Sequence, residues 1–274
     1  MSSEARMNSE QNKKLKTQNW KLITTDMWRR FSIALSFLTI FRLPVSGEMS
    51  PGDLGRCHAC FPVVGLLVGL ITCSMVLLLQ AVMPPLLLAA WACAAMTFFT
   101  RGFHLDGLAD LADGIGGGYT PERRLEIMKD CATGAFGALA VVLAILLKTS
   151  AIYSLIMAKS WIALAIVPAV SRFAIVVCAY KSPCARTTGL AKSSIEYVTR
   201  GTLLAAASFA VLFTLLLLPK FAPAFIGAAI LISLLVRALA HRLLGGVTGD
   251  VLGAVNEITE VLLFTLSACL AYRL

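Results

Sequence analysis

Charge is the scarcest property of this 274-residue chain. Only 14% of its residues are Asp, Glu, Lys or Arg, against roughly 25% in a soluble domain, and that excludes a water-soluble fold. Acidic residues are the rarer sign, 15 against 24 basic, so a carboxylate inside an apolar stretch stands out. A serine nucleophile elbow, a P-loop and a dinucleotide-binding glycine fingerprint are all missing, which confines an enzyme built on this chain to metal-assisted transfer. The eight cysteines imply no oxidised framework, because Cys73, Cys93, Cys178 and Cys269 fall inside apolar runs, where a thiol behaves as a small hydrophobe. Cys57-His58-Ala59-Cys60 resembles half of a metal site, but no second Cys/His pair follows at useful spacing, so zinc is not expected.

What is abundant is apolar sequence: 58% of the residues are hydrophobic and the mean hydropathy is +0.81. Several runs approach the roughly 20 residues that cross a bilayer core. The expected fold is all-α: a polytopic helical membrane protein with about seven transmembrane helices plus a short amino-terminal re-entrant or interfacial helix. Residues 1–30 read as a polar cytoplasmic arm and 31–274 as a single integral membrane domain, with no internal repeat. The first apolar run, 31–41, reaches only about 16 Å as a helix and is too short to span. It is not read as a signal peptide, since no small-residue cleavage pattern precedes Arg42 and Pro44. Full spans are expected at 59–82, 84–100, 134–158, 161–180, 201–218, 221–240 and 251–272.

Tight turns at 82–85, 159–160 and 219–220 alternate with long polar connections at 42–58, 101–133, 181–200 and 241–250. All long connections therefore share one face, which carries eleven Lys or Arg residues, against Lys159, Lys220 and Arg273 on the other. The positive-inside rule makes that face cytoplasmic. The net charge of +9 follows from topology, so nucleic acid is not an expected partner and membrane lipid is. Homo-oligomerisation is left open.

Within 101–133 the sequence Gly102-Phe103-His104-Leu105-Asp106-Gly107-Leu108-Ala109-Asp110-Leu111-Ala112-Asp113-Gly114 puts Asp106, Asp110 and Asp113 within about 60° of one another on a helix. Three like charges on one face repel, and a cation offsets that. Hard oxygen ligands favour Mg²⁺, which also binds substrate phosphates; the competing reading is a solvated acidic turn with Asp as a helix cap. Gly114 and Gly116 to Gly118 either let backbone amides approach an anion or mark the loop leaving the helix. Thr120 and Pro121 open an amphipathic helix with Leu125 and Met128 on its apolar stripe. That helix either covers the interface, with Arg123 and Arg124 at lipid headgroups, or offers Lys129 to phosphate and Asp130 to metal.

Ionisable residues inside the apolar runs need partners or a cavity. Lys148 is expected to need an internal partner, whereas Arg172 is expected to reach an active site at the loop face. Arg237 snorkels at its helix end. Asp250 opens the last helix and is read either as a cap or as acting with Glu257 on the same face; Glu257 and Glu260 enter the apolar run and require a cation or donor.

These stretches, taken in order, resemble the cobalamin synthase family of membrane enzymes, the adenosylcobinamide-GDP ribazoletransferases. The resemblance is carried by Phe37-Leu38-Thr39 through Arg42-Leu43-Pro44, Phe61-Pro62-Val63-Val64-Gly65, Gly102 to Asp110 with Asp113-Gly114, Leu125-Glu126-Ile127-Met128-Lys129-Asp130, and Thr248-Gly249-Asp250 with Leu252-Gly253-Ala254, Glu257 and Glu260. It implies that α-ribazole or its 5′-phosphate attacks the phosphoryl group attached to cobinamide in adenosylcobinamide-GDP, expelling GMP and giving adenosylcobalamin or its 5′-phosphate. It makes 31–274 a catalytic domain with Mg²⁺ as cofactor, held by Asp106, Asp110 and Asp113. Those three and Asp130 are the implied catalytic residues, while His104, Lys129, Arg172, Arg186, Asp250 and Glu257 are the implied substrate-binding ones. Two departures stand out: Cys131-Ala132-Thr133-Gly134 where the family commonly has Ser and Arg before its Gly, and a longer amino-terminal arm. A CDP-alcohol phosphotransferase is the nearest enzyme alternative, but its Asp-Gly-Ala-Arg order is absent. A cation-coupled transporter, with Lys148 and the intramembrane carboxylates as its pathway, is the alternative of another class.

Overall fold

A computed structural model describes residues 24–45, 47–186 and 188–272. Among them the chain is helical throughout, its only β feature an isolated parallel bridge between Cys184 and Val247. Helix α1 covers 24–38, so the last seven residues of the expected polar arm belong to a helix; 1–23 lie outside the described residues. Fifteen residues reach about 22 Å, and α1 is not among the helices long and apolar enough to cross a membrane. It is followed by α2 (Pro51–Arg56), a 3₁₀ turn (Cys57–Cys60) and α3 (Phe61–Leu79).

The three expected hairpins are present. They are α3 with α4 (Pro85–Phe99), α7 (Ala135–Met157) with α8 (Ile162–Ala179), and α10 (Arg200–Leu217) with α11 (Ala222–Leu244), before the final α12 (Gly249–Tyr272). Six helices pass as spans by length and composition. The exception is α4, whose 15 residues reach about 22 Å of a core of about 30 Å. It passes only if joined to α5 (Phe103–Gly117), and the two are bent by 88°. Positive φ at Arg101 (56°) and Gly102 (66°) makes that corner, and Gly102 adopts it without the Cβ penalty an L residue bears. We therefore read α4 as the return strut of the first hairpin and α5 as lying across the end of the bundle. The long polar connection expected at 101–133 carries the two helices its spacing indicated, α5 and α6 (Pro121–Ile127); the right-angle corner before α5 is what the sequence did not show.

Helix α8 forms the axis and is buried along nearly its whole length, packed by α3, α10, α11 and α12. Gly65 and Gly69, one turn apart on α3, lie against the α8 backbone at Pro168 and Ala165; small residues let membrane helices approach this closely. The outward faces of α3, α4, α7, α10 and α11 expose Leu78, Leu86, Phe98, Leu146, Leu216 and Leu235, an apolar belt suited to lipid rather than water.

The connections on one face are knitted together, which fixes the site. The Arg29 guanidinium of α1 pairs with Asp53 of α2 at 2.8 Å. Arg124 of α6 donates to the carbonyls of Gly118 at 2.9 Å and Leu243 at 3.0 Å, so it satisfies a helix-end carbonyl of α11 rather than reaching for headgroups. Arg123 is exposed and pairs with Glu126. Gly116 and Gly118 pack against Phe136 and Arg124, at distances a Cβ would violate; the glycine run is thus a packing surface at the end of α5, not an anion cradle.

Candidate active site

Two helix ends build the site. On α5, Gly107 lies so close to α12 that a Cβ there would stand 2.7 Å from the Asp250 carbonyl oxygen and 3.2 Å from the Gly253 Cα. Only glycine admits this approach, and it sets Asp106 and Asp110 beside the first turn of α12. Asp106 is exposed and Asp110 half-buried, and neither carboxylate has a hydrogen-bond or ion-pair partner among the described residues. Burial, followed by the nearby charges of Asp250 and Asp106, pushes the Asp110 carboxyl up to about 6, against which Arg186 is the relieving charge.

Asp250 is held differently. The Arg186 guanidinium donates to it at 2.8 Å and to the Met128 carbonyl at 3.1 Å. Arg186 is carried there by the Cys184–Val247 bridge, in which the Ala185 N–H donates to Val247 O at 3.0 Å and the Val247 N–H to Pro183 O at 2.8 Å. Thr248 donates to Asp250 at 3.3 Å and accepts from the Val251 N–H at 3.3 Å. Thr248 therefore caps α12, and the reading of Asp250 as the cap is corrected: its carboxylate faces Arg186 instead.

Two cavities meet here. A small one of about 210 Å³ is lined by Phe37, Phe61, Phe103, His104, Arg186 and Asp250, among others. A wide cleft of about 1020 Å³ holds Arg101 and Asp106 and shares the Phe37 and Phe103 walls. Asp106 thus lines the wide cleft and Asp250 the small cavity, and Asp110 feels the charge of both.

The other expected site residues are placed elsewhere. Asp113, 8% exposed, accepts from the Gly134 N–H at 2.7 Å and the Gly137 N–H at 2.8 Å. It staples the amino terminus of α7 to α5, satisfying amides that a helix start leaves unpaired. Asp130 accepts from the Ala132 N–H at 3.0 Å, folding back on its own exposed turn beside a separate depression, and Lys129 is exposed next to it. Arg172 does not reach the loop face. It is 2% exposed and bound to Glu260, whose carboxylate also accepts from Lys148 at 2.6 Å; Glu257 accepts from Lys148 at 3.0 Å. Asn256 and Ser171 complete this inner cluster. Two cations and two carboxylates cancel there, which supplies the partners that Lys148, Glu257 and Glu260 needed. Asp250 and Glu257 share α12 but have separate partners, Arg186 and Lys148. Arg237 reaches the Tyr180 carbonyl at 3.2 Å. His58 donates to Leu54 O at 2.9 Å and accepts from Ser194, so both its nitrogens are spent inside the protein.

The cavity walls Phe37, Phe61 and Phe103 were not singled out from the sequence. No periodicity marks them, although each falls in a stretch carrying the family resemblance. Among the described residues no three His, Cys, Asp or Glu side chains converge as a metal cluster. The unpaired Asp106 and Asp110 nevertheless fit Mg²⁺, which characteristically takes one or two carboxylates and fills its remaining positions with water and phosphate oxygens.

The cobalamin-5-phosphate synthase family model matches residues 30–268. The chain is 48% identical over 247 residues to the adenosylcobinamide-GDP ribazoletransferase of Syntrophobacter fumaroxidans, covering 89% of this chain and 100% of the relative. It is 37% identical to that of Geotalea daltonii, covering 88% and 98%, and 36% identical to that of Ralstonia pickettii, covering 86% and 93%. No solved structure matches. With the match running from α1 almost to the end of α12, this chain belongs to the cobalamin-5-phosphate synthase family.

Proposed function

We propose that this protein is an adenosylcobinamide-GDP ribazoletransferase that joins α-ribazole, or its 5′-phosphate, to the cobinamide phosphate and releases GMP, with Mg²⁺ as cofactor. The observation that carries the reading is that two cavities sharing the Phe37 and Phe103 walls are lined by Asp106 on one side and Asp250 on the other, with Asp110 within electrostatic reach of both carboxylates. A two-substrate transfer needs both reactants to meet at one charged point. Asp106 and Asp110 are the residues that would hold the cation. Bound there, Mg²⁺ neutralises diphosphate oxygens and stabilises the charge that develops on the departing phosphate.

The remaining work falls to the protein's own groups. Arg186 is a second cation at this point and steadies the Asp250 carboxylate. Asp250 lines the small cavity and is placed to accept the proton of the attacking ribazole hydroxyl. The new bond forms between that oxygen and the phosphorus attached to cobinamide, and the bond from this phosphorus to GMP breaks. Asp113 acts one step back, by fixing α5 to α7. The eleven cations of the site face support a cytoplasmic placement, and the bacterial relatives fit a bacterial cytoplasmic membrane.

The test is turnover by purified protein supplied with adenosylcobinamide-GDP and α-ribazole, reading GMP and the joined product by chromatography. Stoichiometric appearance of both supports the assignment. Substrate uptake into vesicles without nucleotide turnover contradicts it.

A further inference from the structure

The small cavity has an unusual chemical lining. Its walls are aromatic: the Phe37 and Phe61 rings lie 6.2 Å apart and nearly parallel at 18°, and Phe103 meets Phe37 edge-on at 5.6 Å. His58, which also lines the cavity, stacks on Phe61 at 4.0 Å. Two polar atoms of cavity-lining residues are buried without a partner, His104 Nε2 and Arg186 Nε. His104 is 1% exposed, and a buried donor left unsatisfied is destabilising unless a ligand meets it.

The His104 tautomer follows from its neighbour. Arg172 lies 3.5 Å from Nδ1, and a guanidinium can only donate. Nδ1 therefore accepts and carries no proton, so the ring proton sits on Nε2. Arg172 is in turn fixed by Glu260. Among the cavity-lining residues, His104 thus carries an unpaired imidazole N–H beside the aromatic rings, with Arg186 and Asp250 as the charged part of the lining.

Size narrows the ligand further. At about 210 Å³ the cavity is smaller than the roughly 300–1,000 Å³ of a drug-sized pocket. A corrinoid macrocycle is too large for it, whereas one bicyclic ring suits it.

Resting on the transferase reading, we propose that this cavity binds the benzimidazole ring of the acceptor riboside against the wall made by Phe37, Phe61 and Phe103, with His104 Nε2–H donating to its unsubstituted ring nitrogen. The ribose then lies toward Arg186 and Asp250, and the wide cleft beyond Phe37 and Phe103 is left for the cobinamide-linked donor. His104 and Phe103 are substrate-positioning residues in this arrangement, and Arg172 with Glu260 sets the histidine's proton.

The experiment is calorimetric titration of the full-length detergent-purified protein with α-ribazole, with the matching riboside whose free ring nitrogen is replaced by C–H, and with GMP. Wild type should bind α-ribazole roughly 5- to 10-fold more tightly than the C–H analogue, as one hydrogen bond predicts. In His104→Ala that preference should vanish, and His104→Gln, which restores an N–H, should recover part of it. Phe103→Leu, at a half-exposed ring that folding tolerates, should weaken both ribosides. Equal preference in wild type and His104→Ala, or loss of GMP affinity in place of riboside affinity, overturns the proposal. The two readings fail separately. Riboside binding that depends on these residues without any GMP release sinks the transferase and keeps the cavity assignment, while GMP release with unaltered riboside affinity in the variants does the reverse.

Discussion

Asp113→Asn separates a structural aspartate from a metal-binding one. In the wild type both carboxylate oxygens accept charge-assisted bonds, 2.7 Å and 2.8 Å long, from the first amides of α7. Asparagine keeps one acceptor and turns an amide NH₂ toward the other N–H. Losing one bond to a charged acceptor costs about 1.5–3 kcal/mol, and losing the favourable charge at a helix start adds up to about 1 kcal/mol. At 8% exposure little water makes up the difference, so the expected loss is about 2–4 kcal/mol. For a chain of this size that lowers the unfolding temperature by roughly 5–15 °C. The assay is thermal unfolding in one fixed detergent, run beside a Mg²⁺ titration of turnover below the unfolding transition. Asp106→Asn is the control, because its exposed, unpartnered carboxylate should leave the transition where it is. An Asp113→Asn protein that unfolds at the wild-type temperature yet no longer responds to Mg²⁺ would refute the reasoning and return Asp113 to the metal.

Further outcomes follow from other contacts. Because Thr248 carries the cap of α12, Asp250→Ser and Asp250→Ala should lose transfer equally while unfolding within a few degrees of wild type; full turnover in the Ser variant would restore the capping role. Lys148→Met leaves two buried carboxylates facing Arg172 alone, a loss of about 3–5 kcal/mol for breaking a buried pair, and should fail to accumulate in membranes. Lys148→Met with Glu257→Gln returns the cluster to neutrality and should accumulate better than the single variant, which a side-by-side blot checks. Cys131 is exposed on the site face and Cys269 near the far end of α12; in a Cys269→Ala protein, an impermeant maleimide should label Cys131 only from the cytoplasmic side. Labelling from the outer side alone would invert the topology.

The hairpins were legible because an apolar run of adequate length has few alternatives in a bilayer, and turn length alone paired α3 with α4, α7 with α8 and α10 with α11. The 3.6-residue period placed Asp106, Asp110 and Asp113 on one helix face, but periodicity says nothing of what a face meets. Asp113 faces the start of α7, Asp106 faces solvent, and Asp250 joins Asp106 and Asp110 from a helix more than a hundred residues on. The right-angle corner at Arg101 and Gly102 was hidden for a related reason, since a polar connection and a short helix lying across a bundle have the same composition. Lys148 announced its need for a partner through the cost of an intramembrane charge. Arg172, about two turns from the end of α8, misled because the carboxylate that claims it, Glu260, comes from another helix. The aromatic cavity is invisible to composition, as its walls come from α1, α3 and α5.

The central claim is that Asp106 and Asp110 hold a cation that transfer requires. It is tested most directly by measuring GMP release from adenosylcobinamide-GDP and α-ribazole across a Mg²⁺ titration in wild type, Asp106→Asn and Asp110→Asn. The account predicts saturable Mg²⁺-dependent release in wild type and a fall of at least about 100-fold in each variant at unchanged thermal stability. Release that is indifferent to Mg²⁺ and survives both substitutions would contradict it.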